Sequence, residues 1–161
     1  MKILTTYLLI TAINLTASCQ RSVIGNYYHN FGHKLLLKSD STFEFKTGFD
    51  LSSSWSHGSW SFKKDTIFLI NKTIFDTLKV SQDKDTLVLS ANPISERIDS
   101  LSYIATLLSG GGQNRTPHPQ KLLLKKKTLL IIDQNGQVVT RDLYDPMRQK
   151  SFTTKFYKSK E

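Results

Sequence analysis

The sequence predicts a mainly β domain, an antiparallel meander forming a barrel or half-barrel, with one helix near residues 93–108. Three observations carry this. Apolar and polar residues alternate with period two: Leu35 and Leu37 with Lys34 and Lys38, Phe43 and Phe45 with Glu44 and Lys46, Trp60 and Phe62 with Ser59 and Ser61. Such alternation marks strands with one face buried. The intervening turns share one chemistry, Asp40-Ser41-Thr42, Lys64-Asp65-Thr66 and Lys84-Asp85-Thr86. Aspartate closes a turn on its own backbone, and β-branched threonine starts the next strand. Finally, 161 residues with 39% apolar and 22% charged side chains suit one globular domain. That balance excludes a multi-pass membrane protein, a collagen-like chain and a fully disordered one. The single cysteine excludes an internal disulfide framework and a thiolate zinc cluster.

The N-terminal segment reads as an address. Met1-Lys2 is a short basic start, and residues 3–15 are mostly apolar. A run of this length fits the core of a signal peptide, whereas a spanning helix needs about 20 apolar residues. Ala17 and Ser18 then precede Cys19, the lone cysteine. The stretch resembles a bacterial lipoprotein signal. That resemblance implies cleavage before Cys19, lipidation of Cys19 and a tether over 19–22. Gln20, where such proteins carry Asp for inner-membrane retention, implies the outer membrane and its periplasmic face. An ordinary secretory signal is the alternative; it leaves the exported thiol unexplained.

The single domain spans 23–158, followed by a tail at 159–161. Gly25-Asn26-Tyr27-Tyr28 opens it, and the alternating strands above follow. Ile67-Phe68-Leu69-Ile70, apolar on both faces, reads as a covered strand, and Leu78, Val80, Leu87 and Leu89 continue the series. Asn92 caps the expected helix with Pro93 at its first position, and Ile94, Ile98, Leu101, Ile104 or Ala105, and Leu108 fall on one face. Gly110 ends it, and residues 109–120 read as a flexible loop. Strands resume at Lys121–Leu124 and Thr128–Ile132, with an Asn135-Gly136 turn and a last strand around Phe152 and Phe156. The layout resembles the small lipocalin-like lipoproteins of the Bacteroidota. Gly25-Asn26-Tyr27, Asp40-Ser41-Thr42-Phe43 and Gly58-Ser59-Trp60 followed by Asp65-Thr66-Ile67 carry that resemblance, over about residues 23–90. It implies a lipocalin-like barrel more than an activity.

No constellation for catalysis emerges. His29 and His33 flank a turn, so their four-residue spacing does not align them as a helix would, and they read as surface histidines rather than metal ligands. Ser59 lacks the glycine context of a nucleophile elbow. The triplet Gly110-Gly111-Gly112 lacks the Lys-Ser/Thr of a phosphate loop. The expectation is a non-enzyme with no cofactor and no metal. Tyr27, Trp55, Trp60 and Phe62 are candidates to line a pocket for a small apolar ligand, although a small barrel can also be filled by its own side chains, and filling is the favoured reading.

Charge is the remaining signal. The formal net charge is +9. Residues 19–114 hold ten basic and nine acidic side chains, whereas 115–161 hold eleven and four. Lys121, Lys125, Lys126, Lys127, Arg148 and Lys150 are therefore the anion-binding candidates, facing an anionic envelope polymer or lipid headgroups. Nucleic acid is not expected for an exported chain. The functional reading is a lipid-anchored, non-catalytic envelope protein that binds an envelope component or protein partner through a basic C-terminal surface. The alternative is a carrier of a small apolar ligand.

The Asp-hydroxyl turns at Asp40-Ser41, Asp65-Thr66, Asp76-Thr77, Asp85-Thr86 and Asp99-Ser100 also resemble the O-glycan acceptor pattern of exported Bacteroidota proteins. Intact mass of the native protein separates this from plain turn chemistry: glycosylation adds hexose-sized increments, and turn chemistry adds none.

Overall fold

The computed structural model describes residues 23–49, 52–81, 84–109, 111–114, 119–140, 142–146 and 149–159. Cys19, Arg148 and the signal segment lie outside them. The chain forms β1 (Gly25–Tyr28), β2 (Lys34–Leu37), β3 (Thr42–Phe49), β4 (Ser52–Lys63) and β5 (Thr66–Asn71). An insertion follows, with β6 (Phe75–Ser81), β7 (Lys84–Leu89), β8 (Arg97–Ile98), α1 (Ser100–Leu108) and β9 (Gly112–Gln113). Then come β10 (Lys121–Lys125), β11 (Thr128–Ile132), β12 (Asp142–Asp145), β13 (Lys150–Thr153) and β14 (Lys155–Lys158).

Eight strands in the order β3-β2-β1-β14-β11-β10-β5-β4 are joined by antiparallel pairs, and β3 pairs with β4, so the sheet closes into a barrel. Closure leaves no open edge within the ring. The alternation seen in the sequence decides which side chains enter. Phe43 and Phe45 of β3 point in, with Glu44 and Lys46 outside. Leu35 and Leu37, Ile67 and Leu69, Leu122, Leu129 and Phe156 join them in one cluster with Tyr27, Trp60 and Val23. Eight strands enclose a space just wide enough to be filled by side chains. Tyr27 keeps its hydroxyl satisfied by donating to the carbonyl of Val23 at 2.7 Å, and burial pushes its pKa up to about 12. At Gly58 the β4 and β5 backbones approach so closely that a Cβ would lie 1.9 Å from the Ile70 carbonyl oxygen. Only glycine fits there.

The two ends of the barrel differ. At one, the base, strands are joined by short turns at 38–41, 64–65 and 126–127, and Val23 and Ser159 lie beside them. At the other, the rim, both long excursions leave the ring: 72–120 between β5 and β10, and the β12–β13 hairpin between β11 and β14.

The helix differs from its sequence reading. It begins at Ser100, capped by Asp99, whose carboxylate accepts the Ser102 amide at 2.8 Å. Asn92 and Pro93 precede an extended segment instead. Arg97 and Ile98 pair in parallel with Thr77 and Leu78 of β6, and Asp76 accepts the Glu96 amide at 2.8 Å. These ladder partners take backbone that the periodicity assigned to a first helical turn, a tertiary override of local preference. The expected apolar stripe also fails to bury: Leu101 is 78% and Leu108 83% exposed. Within the segment read as loop, Gly112 and Gln113 add a short parallel strand to Ser54 and Trp55. The Gln113 amide group both accepts from the Ile74 N–H at 3.0 Å and donates to its carbonyl at 3.1 Å.

Burial predicts where truncation is felt. Phe156→Ala, at the centre of the filled ring, is expected to destabilise by about 3–5 kcal/mol. Leu108→Ser, on the exposed helix face, is expected to change stability by no more than about 0.5 kcal/mol. Urea unfolding of the two variants measures both.

Candidate functional site

The ring's own packing takes up three of the four pocket candidates. Tyr27 and Trp60 are buried in the core cluster, and Phe62 packs against it. Trp60 donates its indole N–H to the Lys38 carbonyl at 3.0 Å. Trp55 lies one residue before the inward-facing Ser56, so it points outward. Its indole N–H donates to the Ala91 carbonyl at 2.8 Å, fastening the insertion to the outer wall. The four aromatics therefore share no pocket.

The rim is capped from within by polar groups that sequence reading missed. Asn114, just after β9, donates its side-chain N–H to the buried Ser56 hydroxyl at 2.9 Å, and its side-chain oxygen accepts from the Ser54 hydroxyl. Thr47 bonds Ser54 at 2.5 Å. No local signal links Asn114 to residues some sixty positions earlier; only the parallel pairing of β9 on β4 brings them together.

The histidines also differ from expectation. His29 is only 6% exposed, its ring tilted against His33 and Phe156 with centroids 5.2 Å away in each case. The reason is the tight turn between β1 and β2, in which the His29 amide donates to the His33 carbonyl at 2.8 Å and folds both rings over the barrel contents. His29 Nδ1 accepts the Phe31 amide at 3.2 Å, so the neutral ring carries its proton on Nε2, which is buried with no partner among the described residues. That tautomer directs the ring's free lone pair to backbone and leaves Nε2 as an N–H donor. Among the described residues no three His, Cys, Asp or Glu gather to hold a metal. Desolvation, and then the neighbouring His33, bring the His29 pKa down to about 4.

Two open clefts lie on the outer wall of β3, β4 and β5. One, of about 360 Å³, is lined by Glu44, Lys46, Trp55, His57 and Pro93. A neighbour of about 420 Å³ shares Glu44 and His57 and adds Lys38, Asn71 and Lys72. Lys38 donates to Glu44 at 2.6 Å and holds that carboxyl below its usual range. Burial, with Lys72 next, lowers His57. A carboxylate held ionised and an imidazole held neutral can orient a polar ligand, and Trp55 offers an aromatic wall. No hydroxyl nucleophile with a hydrogen-bonded base completes the set among the described residues.

The anion-binding candidates are split by the fold. Lys125, Lys126 and Lys127 stand at the base, on the β10–β11 turn. Lys121 begins β10 at the rim, and Lys150 begins β13 in the rim hairpin. Arg148 is outside the described residues. The base gains Lys63 and Lys64 from the β4–β5 turn, which lie outside the basic segment 115–161. Lys158 is there too, its ammonium 5.8 Å from the centre of the Tyr27 ring.

Comparison of the chain with known protein families, with curated proteins and with solved structures finds no match. The reading of function therefore rests on this chain's own residues.

The buried imidazole predicts acid sensitivity. Unfolded His29 takes up a proton below about pH 6.5, and folded His29 only below about pH 4. Between those values the unfolded state holds more protons, so stability is full above pH 6.5 and falls as pH drops toward 4. Urea midpoints measured from pH 7 to pH 4.5 should decline for the wild type and decline less for His29→Leu.

Proposed function

We propose that the protein is a lipid-anchored, non-catalytic envelope protein whose outer surface binds an envelope component or a protein partner. The observation that carries this is the filled and capped barrel. Trp60, Phe43, Phe45 and Phe156 occupy the interior, and Asn114 and His29 lie over it at the rim. Function then falls to the outside. Two outer features support a binding role: the apolar insertion, where Leu87, Ile94, Leu101 and Leu108 are exposed, and the lysines of the base. The lipid on Cys19, the outer membrane and the periplasmic face come from the signal's resemblance. Among the described residues no helix is long and apolar enough to cross a membrane.

The carrier reading keeps one supporting feature, the outer-wall cleft beside Trp55. Its size lies in the range of small-molecule sites, about 300–1,000 Å³. A fatty acid or apolar dye that quenches tryptophan fluorescence in the wild type but not in Trp55→Leu would favour a carrier over a surface-binding module.

Anchoring is tested directly. Cells grown with a clickable fatty-acid analogue should label the wild type, and the label should be lost in Cys19→Ala together with membrane association. Equal labelling of both chains overturns the anchor.

A further inference from the structure

We infer that the base of the barrel is a docking face for an anionic bilayer, and that the protein stands on the membrane with its rim turned away from it. The inference rests on the anchored reading above and specifies the surface that meets the lipid.

Topology gathers the charge. Five exposed lysines, Lys63, Lys64, Lys125, Lys126 and Lys127, come from two turns far apart in sequence, and β5–β10 pairing sets those turns side by side: the Leu124 amide donates to the Asp65 carbonyl at 2.7 Å. None of the five is in an ion pair among the described residues. The carboxylates of this end are Asp40 and Asp65, and Glu44 nearby is taken up by Lys38. The base is therefore net cationic, whereas the rim mixes Lys121 and Lys155 with Asp133 and Asp142.

The backbone bears a second mark. Lys64 sits at φ +48° and Lys126 at φ +59°, each at the first position of a two-residue hairpin turn. Those positions favour glycine or asparagine, because a side chain there crowds its own carbonyl. Both turns instead hold a lysine at the tip, in a conformation that lysine rarely adopts. Ser41 and Asp65 at the same end are left-handed too, at φ +64° and +60°, so four such turn positions gather on one face, two of them lysines, and that clustering points to a demand other than folding.

The occupant follows from charge and from where the chain enters. Val23 is buried at this same end, four residues after Cys19. Four residues reach at most about 14 Å. A lipid on Cys19 thus holds the base, not the rim, within a short span of the headgroups. Each lysine near an anionic surface strengthens partitioning about fivefold.

The test uses the full lipidated chain on vesicles of phosphatidylcholine alone and of phosphatidylcholine with phosphatidylglycerol, at low salt. Sedimentation with the neutral vesicles, lost in Cys19→Ala, reads the anchor. Lysine acetylation followed by mass spectrometry reads the face. Lys63, Lys64 and Lys125–Lys127 should react several-fold more slowly on anionic than on neutral vesicles, with Lys79 and Lys121 unchanged. Protection on anionic vesicles without neutral sedimentation defeats the anchor and leaves the docking face standing. Equal reactivity on both vesicles, protection centred on Lys121, or protection by soluble heparin but not by vesicles overturns the docking face. The paired variant Lys64→Gly with Lys126→Gly, made in the Cys19→Ala chain, gives the sharpest contrast. It should unfold at higher urea than its parent yet bind anionic vesicles about 25-fold more weakly, and the corresponding arginine pair should bind like the parent. Unchanged binding in the glycine pair overturns the proposal.

Discussion

Tyr27 pairs with Lys158 and Tyr28 with Tyr157, and this ladder between the first and last strands of the domain converts a long sheet into a ring. Without it β1 and β14 would each present a row of unpaired backbone groups, and the inward faces of Tyr27 and Phe156 would open to water. Closure also fixes geometry. A ring of eight strands has room for its own side chains or for one small ligand, and here large residues at alternate positions take up that room. The same ladder holds the start of the domain at the base, with Ser159 donating to the Asn26 carbonyl at 2.7 Å.

The ring divides labour between its ends. At the base the strands turn back at once. At the rim the chain leaves twice and returns, and β5 must find β10 across the whole insertion. That pairing is long-range and brings a loop-closure entropy that the local hairpins avoid. The insertion repays part of it by binding to the wall through Trp55, Gln113 and Asn114. Its own apolar residues remain largely outside the core. The rim therefore carries apolar surface, and the base carries charge.

Strain and orphaned polar groups follow the same division. At the base, Lys64 and Lys126 occupy left-handed backbone at a cost of about 1–2 kcal/mol each. Near the rim, the His29 nitrogen that has no partner among the described residues costs about 1–3 kcal/mol. Neither cost improves the packing of the ring. Both sit where the barrel meets its surroundings, which is where proteins retain features that stability alone would remove.

The sequence by itself determined the strands, their inward faces and most turns, because period-two alternation and turn residues act over a few positions. Phe43 and Phe45 or Ile67 and Leu69 could be placed without knowing any partner strand. Closure, filling and the position of charge were decided only by tertiary structure. Which strands become neighbours across 72–120 depends on long-range pairing, and that pairing alone puts Lys64 beside Lys126 and sends Lys121 to the far end. The helix start moved from Pro93 to Ser100 because Arg97 and Ile98 found β6, and His29 turned inward because its turn closes over Phe156. Periodicity reads one segment at a time, whereas each of these outcomes depends on a backbone or ring distant in sequence.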